Sequence, residues 1–170
     1  MRHYLDHAST SPTRPAAVEA MSYWLARTGD PGRIHEEGLA ARVAVEEARD
    51  AVSALLGCRS SREVVFTSGA TEAIATAVWG AAERGDHQVV TAVEHSAVRL
   101  ATEAVGGVTV VGVDGAGRVD VDAVLDAIRP GTSCVHVQWA NHEVGTIQPV
   151  PEVVAACRER DVLVHVDAAQ

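Results

Sequence analysis

From residue 63 onward the chain alternates short runs of β-branched residues with segments of helical period, and that alternation leaves few folds open. The runs are 63–67 (EVVFT), 88–92 (QVVTA), 108–113 (VTVVGV), 134–138 (CVHVQ) and 162–166 (VLVHV), with helical segments near 71–83, 96–105, 120–129 and 150–160. Short apolar strands separated by helices predict an α/β fold, a mostly parallel sheet sandwiched by helices. Ahead of this pattern, a short arm (His3–Thr10) leads to a helix that Thr13 can cap. Pro15 sits in its first turn, and Val18, Met21, Trp24 and Leu25 recur at helical spacing. A turn-rich stretch, 28–38, then precedes a second helix with Leu39, Val43, Ala48, Val52 and Leu55 or Leu56 on one face. The expected division is therefore residues 1–38, an arm, helix and loop, and residues 39–170, the sheet-bearing domain.

Charge and cysteine usage narrow the function classes. A formal net charge of −9 disfavours nucleic acid or an anionic membrane surface as partner. No apolar run follows the basic residue at the N-terminus, and none approaches the roughly 20 residues of a membrane span. A cytoplasmic location is expected. Cys58, Cys134 and Cys157 are widely spaced in apolar contexts, which reads as reduced core thiols rather than disulfides or a metal site. All fourteen Lys+Arg residues are arginine, so the chain contains no primary side-chain amine that could lose its proton and form a Schiff base.

Four segments at carboxyl ends of predicted strands carry chemistry. In 66–73 (FTSGATEA) a strand runs into Ser68, Gly69 and Ala70, and a helix opens near Thr71. Small residues and the free N–H groups of a new helix make a phosphate cradle there, with the Thr71 hydroxyl as a further donor. The same pattern is also ordinary α/β architecture, with Glu72 complementing the helix dipole. His95, in 93–98 (VEHSAV), follows a strand and precedes a helix, where an imidazole can stack on a planar cofactor or move a proton, or simply stand in solvent. Asn141, His142 and Glu143 open the loop 139–150 (WANHEVGTIQPV), whose turn Gly145 and Pro149 shape; they serve either a ring oxygen or the turn itself. Asp167, in 165–170 (HVDAAQ), ends an apolar run, a costly place for a carboxylate without a partner. A pyridinium nitrogen would suit it, as would an arginine or a backbone cap, and Gln170 could donate to a ring hydroxyl.

Taken together in this order, FTSGATEA, EHSAV, NHEVGTIQPV and HVDAAQ, with YLDHAST and GDPGRIH nearer the N-terminus, resemble the N-terminal part of a cysteine desulfurase. That family lies within the class V aminotransferase superfamily of fold-type I pyridoxal phosphate enzymes. The resemblance implies pyridoxal 5'-phosphate as cofactor and residues 39–170 as an incomplete large domain that binds it. Ala70 and Thr71 would meet the phosphate, His95 would stack on the ring and share acid/base steps, Asn141 and His142 would lie at the ring, Asp167 would hold the ring nitrogen, and Gln170 the ring hydroxyl. The implied reaction converts L-cysteine to L-alanine, passing sulfur as an enzyme persulfide to an acceptor protein for iron–sulfur cluster assembly or other thio-compounds.

Three departures from the family's pattern matter. His142 stands where a ring-contacting Asn is usual, and Asp30 replaces Asn in a Gly-Asn-Pro segment. The family's Schiff-base Lys and persulfide-forming Cys belong to positions beyond Gln170, and none of the three cysteines matches that Cys. The resemblance therefore implies a C-terminal half, in the same or a separate polypeptide, a homodimer of the complete enzyme, and a chain that is inactive alone. A buried parallel strand immediately before Gln170 leads to the same expectation. Two other readings stay open: a non-catalytic binding or regulatory module derived from the family, and another class V lyase or epimerase such as a selenocysteine lyase.

Overall fold

A computed structural model describes residues 3–170; Met1 and Arg2, which precede the arm, lie outside the described residues. The chain forms two compact units that divide after Phe66.

In the first unit, helix α1 spans Pro15–Leu25. Proline opens it where a missing N–H costs nothing. Arg14 rather than Thr13 occupies the cap, and no side chain among the described residues closes it. Helix α2, Glu36–Leu56, starts earlier than the apolar period predicts. The Gly38 N–H donates to His35 Nδ1 at 3.2 Å, and Glu36 and Glu37 favour the positive helix end. The apolar faces form as expected but remain largely open, with Met21, Leu25, Val43, Leu55 and Leu56 exposed. An apolar crevice of about 530 Å³ is lined by residues of both helices, among them Trp24, Ala41 and Val45, and by Phe66.

The predicted strand 63–67 is not a strand. A 3-10 turn covers Ser61–Glu63, closed by Ser60, whose hydroxyl accepts from the Arg62 N–H. Val64 is extended, but no ladder partner pairs with the segment among the described residues, and Val65 is 72% exposed. β-branched residues make a strand only when a neighbour satisfies the backbone. Here the Val64 carbonyl accepts instead from the Arg49 guanidinium.

The second unit carries α3 (Ala70–Ala82), β1 (His87–Thr91), α4 (Ser96–Val105), β2 (Val108–Val111), α5 (Val121–Asp126), β3 (Thr132–Gln138), α6 (Val150–Arg158) and β4 (Leu163–Asp167). Its four strands are all parallel, in the order β2-β1-β3-β4. Strands β1, β3 and β4 fall within a residue or two of their predicted bounds. Helix α5 is shorter than read, capped by the Asp120 carboxylate, which accepts from the Asp122 N–H at 3.0 Å. Both faces are covered: Val90 packs with Ile74, Val78 and Val98 of α3 and α4, and Val89, Val135 and Val137 pack with Val124, Val153 and Cys157 of α5 and α6. Cys134 and Cys157 are buried thiols, and burial pushes Cys134 up to about 12, whereas Cys58 is only half-buried. No helix among the described residues is long and apolar enough to cross a membrane.

One polar row crosses the sheet on the α3 face. The Gln88 amide donates from Nε2 to the Val78 carbonyl at 3.1 Å, which turns its Oε1 toward His136 Nε2 at 2.7 Å. That nitrogen must then carry the proton, and His136 Nδ1 is left to accept from His165 Nδ1–H at 3.0 Å. Burial, and next the neighbouring His165, push His136 down to about 3, so the neutral ring is the form the row requires. His136→Leu strands the Gln88 oxygen and the His165 N–H. Each stranded group costs about 1–3 kcal/mol, so urea unfolding should show a loss of about 2–6 kcal/mol, with His136→Gln recovering part of it.

Candidate functional site

Because all four strands run the same way, their carboxyl ends share one edge of the sheet. The order β2-β1-β3-β4 reverses direction between β1 and β3, and the chains leaving those two strands part to open a crevice, the usual ligand position in such sheets. A cleft of about 460 Å³ lies there, lined by Glu94, His95, Arg99, Asn141, His142 and Glu143 among others.

His95 occupies the cap of α4. Its Nδ1 accepts from the Ala97 N–H at 3.1 Å, so the neutral ring carries its proton on Nε2. The His142 ring stands 6.0 Å away, centroid to centroid, tilted by 54°. Asn141 is buried and engaged by the loop itself: its Oδ1 accepts from the N–H groups of Glu143 and Val144, both at 2.9 Å, and its Nδ2 donates to the Val93 carbonyl at 3.3 Å. It ties the loop after β3 to the loop after β1 and thereby sets the spacing of His142 and His95. Gly145 closes this turn in the left-handed region, φ 73°, where a side chain would be strained.

The remaining predicted residues lie elsewhere on the unit. Helix α3 opens at Ala70, and Ala70 and Thr71 are exposed in its first turn, where N–H groups lack intrahelical partners. Glu72 does more than complement the dipole. Its Oε2 accepts from the Ser68 hydroxyl at 2.6 Å and the Ser68 N–H at 2.7 Å, which hold its carboxyl below the usual range. Asp167 is the last residue of β4 and is half-buried. Its Oδ1 accepts from the Ala169 N–H at 3.1 Å, and its carbonyl from the Trp139 N–H at 2.7 Å. Gln170 is exposed beyond it. The structure thus gathers His95, Asn141 and His142 on one cleft, while Ala70, Thr71, Asp167 and Gln170 do not line it.

Glu94 is a residue that the motifs did not single out. It is 6% exposed, and its Oε1 accepts from the Thr91 hydroxyl at 2.6 Å and the Gln138 N–H at 2.8 Å. Its Oε2 and the Gln138 Nε2 are buried with no hydrogen-bond partner among the described residues. Burial raises its carboxyl to about 7; the Thr91 and Gln138 hydrogen bonds oppose that rise, and the Asp167 charge adds to it. The sequence did hold a signal: like Asp167, Glu94 is an acid placed just after an apolar strand.

The profile of the aminotransferase class-V family matches residues 3–170. The chain belongs to the aminotransferase class-V family. Among class-V relatives, a cysteine desulfurase of Bradyrhizobium diazoefficiens is 41% identical over 175 residues, covering 98% of this chain and 44% of that protein. A solved NifS-like protein superposes with a TM-score of 0.89 at 33% identity, covering 99% of this chain and 49% of its own. A solved structure of SspA in complex with cysteine does so with a TM-score of 0.89 at 30% identity, covering 98% and 50%. The chain spans about half the length of these class-V relatives, and its homology to cysteine desulfurases is confined to that part.

Glu94 gives the unit a distinct pH dependence. An acid raised in the folded state binds its proton there at a pH where the unfolded chain has released it, so its contribution to stability falls as pH rises from about 4.5 to about 7 and is level above. Glu94→Gln removes this loss. Relative to the parent, thermal or urea unfolding of the variant should gain up to about 3 kcal/mol across that window, while a constant difference at every pH would sink the assignment.

Proposed function

We propose that this chain is the N-terminal part of a pyridoxal phosphate-dependent cysteine desulfurase, converting L-cysteine to L-alanine with sulfur leaving as a persulfide on an enzyme cysteine. The observation that carries the reading is the placement of His95 and His142 on a cleft at the switch point of a class-V fold, beside the β4 end that carries Asp167.

The residues present fit the cofactor's chemistry. Gln138 Nε2 and Glu94 Oε2 are unpaired polar atoms buried at this edge of the sheet, and the first turn of α3 offers exposed N–H groups to an anion. When bound, pyridoxal phosphate supplies the electron sink that the carbon–sulfur cleavage needs. In this chain Ala70 and Thr71 would hold the phosphate, Asp167 the ring nitrogen and Gln170 the ring hydroxyl. His95, fixed through Nδ1 by its own helix, presents Nε2 as the atom that stacks or passes a proton. His142, a second imidazole in place of an amide, would donate to the ring, and Asn141 holds the loop that carries it.

Because the chain contains no lysine and spans about half of its relatives, the Schiff-base amine and the persulfide cysteine belong to a C-terminal half of the enzyme, which would dimerise when complete. The chain alone is inactive under this reading. The product sulfur would pass to an acceptor protein, for iron–sulfur cluster assembly among other uses, in the cytoplasm.

Pyridoxal phosphate added to the chain should bind by absorbance or tryptophan quenching, and Asp167→Asn should weaken it about 10–100-fold, the worth of one charge-assisted hydrogen bond. Mixing in the C-terminal half should yield alanine from L-cysteine, and His95→Ala should cut that rate by about 100-fold or more. Binding that is indifferent to Asp167, or a reconstituted pair that leaves L-cysteine untouched, would refute the proposal.

A further inference from the structure

The carboxyl-end edge of the sheet holds two acids at different depths. Asp167 ends β4 half-buried, and Gln138, its register partner on β3, donates its N–H to Glu94 at 2.8 Å. One Glu94 oxygen is therefore fixed by two donors, Thr91 and Gln138. The other is buried without a hydrogen-bond partner among the described residues, as is the Gln138 amide nitrogen. A proton on this carboxyl resides on Oε2, because Oε1 already accepts two hydrogen bonds.

We propose that Glu94 is a positioning residue for Asp167, a buried carboxyl that keeps its proton while Asp167 is an uncompensated anion and releases it to solvent when a cation settles against Asp167. The charge balance follows directly: the proton leaves Oε2 by the cleft, and the two carboxylates then share the incoming positive charge. The groups on neighbouring elements leave Asp167 as the partner in this exchange. On β3 and β4, burial pushes His136 and His165 toward the neutral ring. Across the cleft, Arg99 and Glu143 line the wall with His95 and His142. Asp167 is the charge that acts on Glu94, adding to the rise that burial causes and that the Thr91 and Gln138 hydrogen bonds oppose. The inference rests on the cofactor reading only for the identity of the cation, a protonated pyridine ring.

The test is a carboxyl titration by carbon NMR on the whole chain labelled at Glu and Asp side chains, with Glu94 assigned by its absence in Glu94→Gln. In Asp167→Asn the Glu94 midpoint should fall by about half a pH unit or more. A Glu94 that merely fills space would not move. Should Asp167→Asn fail to fold, Asp167→Ser reads the same coupling, and a Glu94 midpoint unmoved in the folded variant overturns the proposal. Pyridoxal phosphate added to the parent chain should lower the Glu94 midpoint in the same direction, and binding that leaves it in place also overturns the proposal. If the variants show the coupling and pyridoxal phosphate does not bind at all, the coupling stands and the cofactor reading falls.

Discussion

The pairing of β1 with both β2 and β3 is the constraint from which the rest of the second unit follows. A five-residue strand hydrogen-bonded on both sides, with every residue buried, can present only two faces to helices, and its valines commit to one each, Val89 toward α5 and α6 and Val90 toward α3 and α4. Parallel pairing then places all carboxyl ends on one edge, and the reversal of strand order beside β1 opens the cleft there. The loops that bear His95 and His142 owe their meeting to this topology and to Asn141, which ties one to the other.

Burying polar side chains on such a sheet is costly unless each finds a partner. The row Gln88–His136–His165 meets that condition by fixing every proton: one carbonyl of α3 orients the amide, the amide selects the tautomer of His136, and His136 selects that of His165. The row runs across β1, β3 and β4 beneath α3, so a register slip of one residue in any of these strands would send its member of the row to the opposite face. Polar residues here specify the alignment of strands whose valines, being alike, specify it poorly.

This contrast explains what could be read from the sequence. Strands such as 134–138 were legible because a run of β-branched residues between helical segments has one physical use. The run 63–67 has the same composition and fails to become a strand, because composition says nothing of whether a neighbour is present to hydrogen-bond; Val64 ends bonded to Arg49. The start of α2 was hidden for a related reason: an imidazole nitrogen accepts from Gly38, a cap that the residue His35 does not advertise. His95 repeats that device at α4. Asn141 was visible as a site residue, but its side chain serves the loop, a distinction set by hydrogen bonds across 48 residues of sequence rather than by the motif.

Glu94 and Asp167 show most sharply where sequence pattern ends. Each is an acid at the carboxyl end of a buried strand or just past it, and in sequence they are equivalent. Their environments divide them. Asp167 keeps contact with solvent, with the Ala169 N–H accepted by one of its oxygens, whereas Glu94 turns inward, where two donors hold one oxygen and no described residue hydrogen-bonds the other. Burial pushes the Glu94 carboxyl up to about 7, the range that suits a group exchanging a proton near neutrality. That division is decided by the packing of the Thr91 and Gln138 side of the sheet, so it appears only once β1, β3 and β4 have been brought side by side.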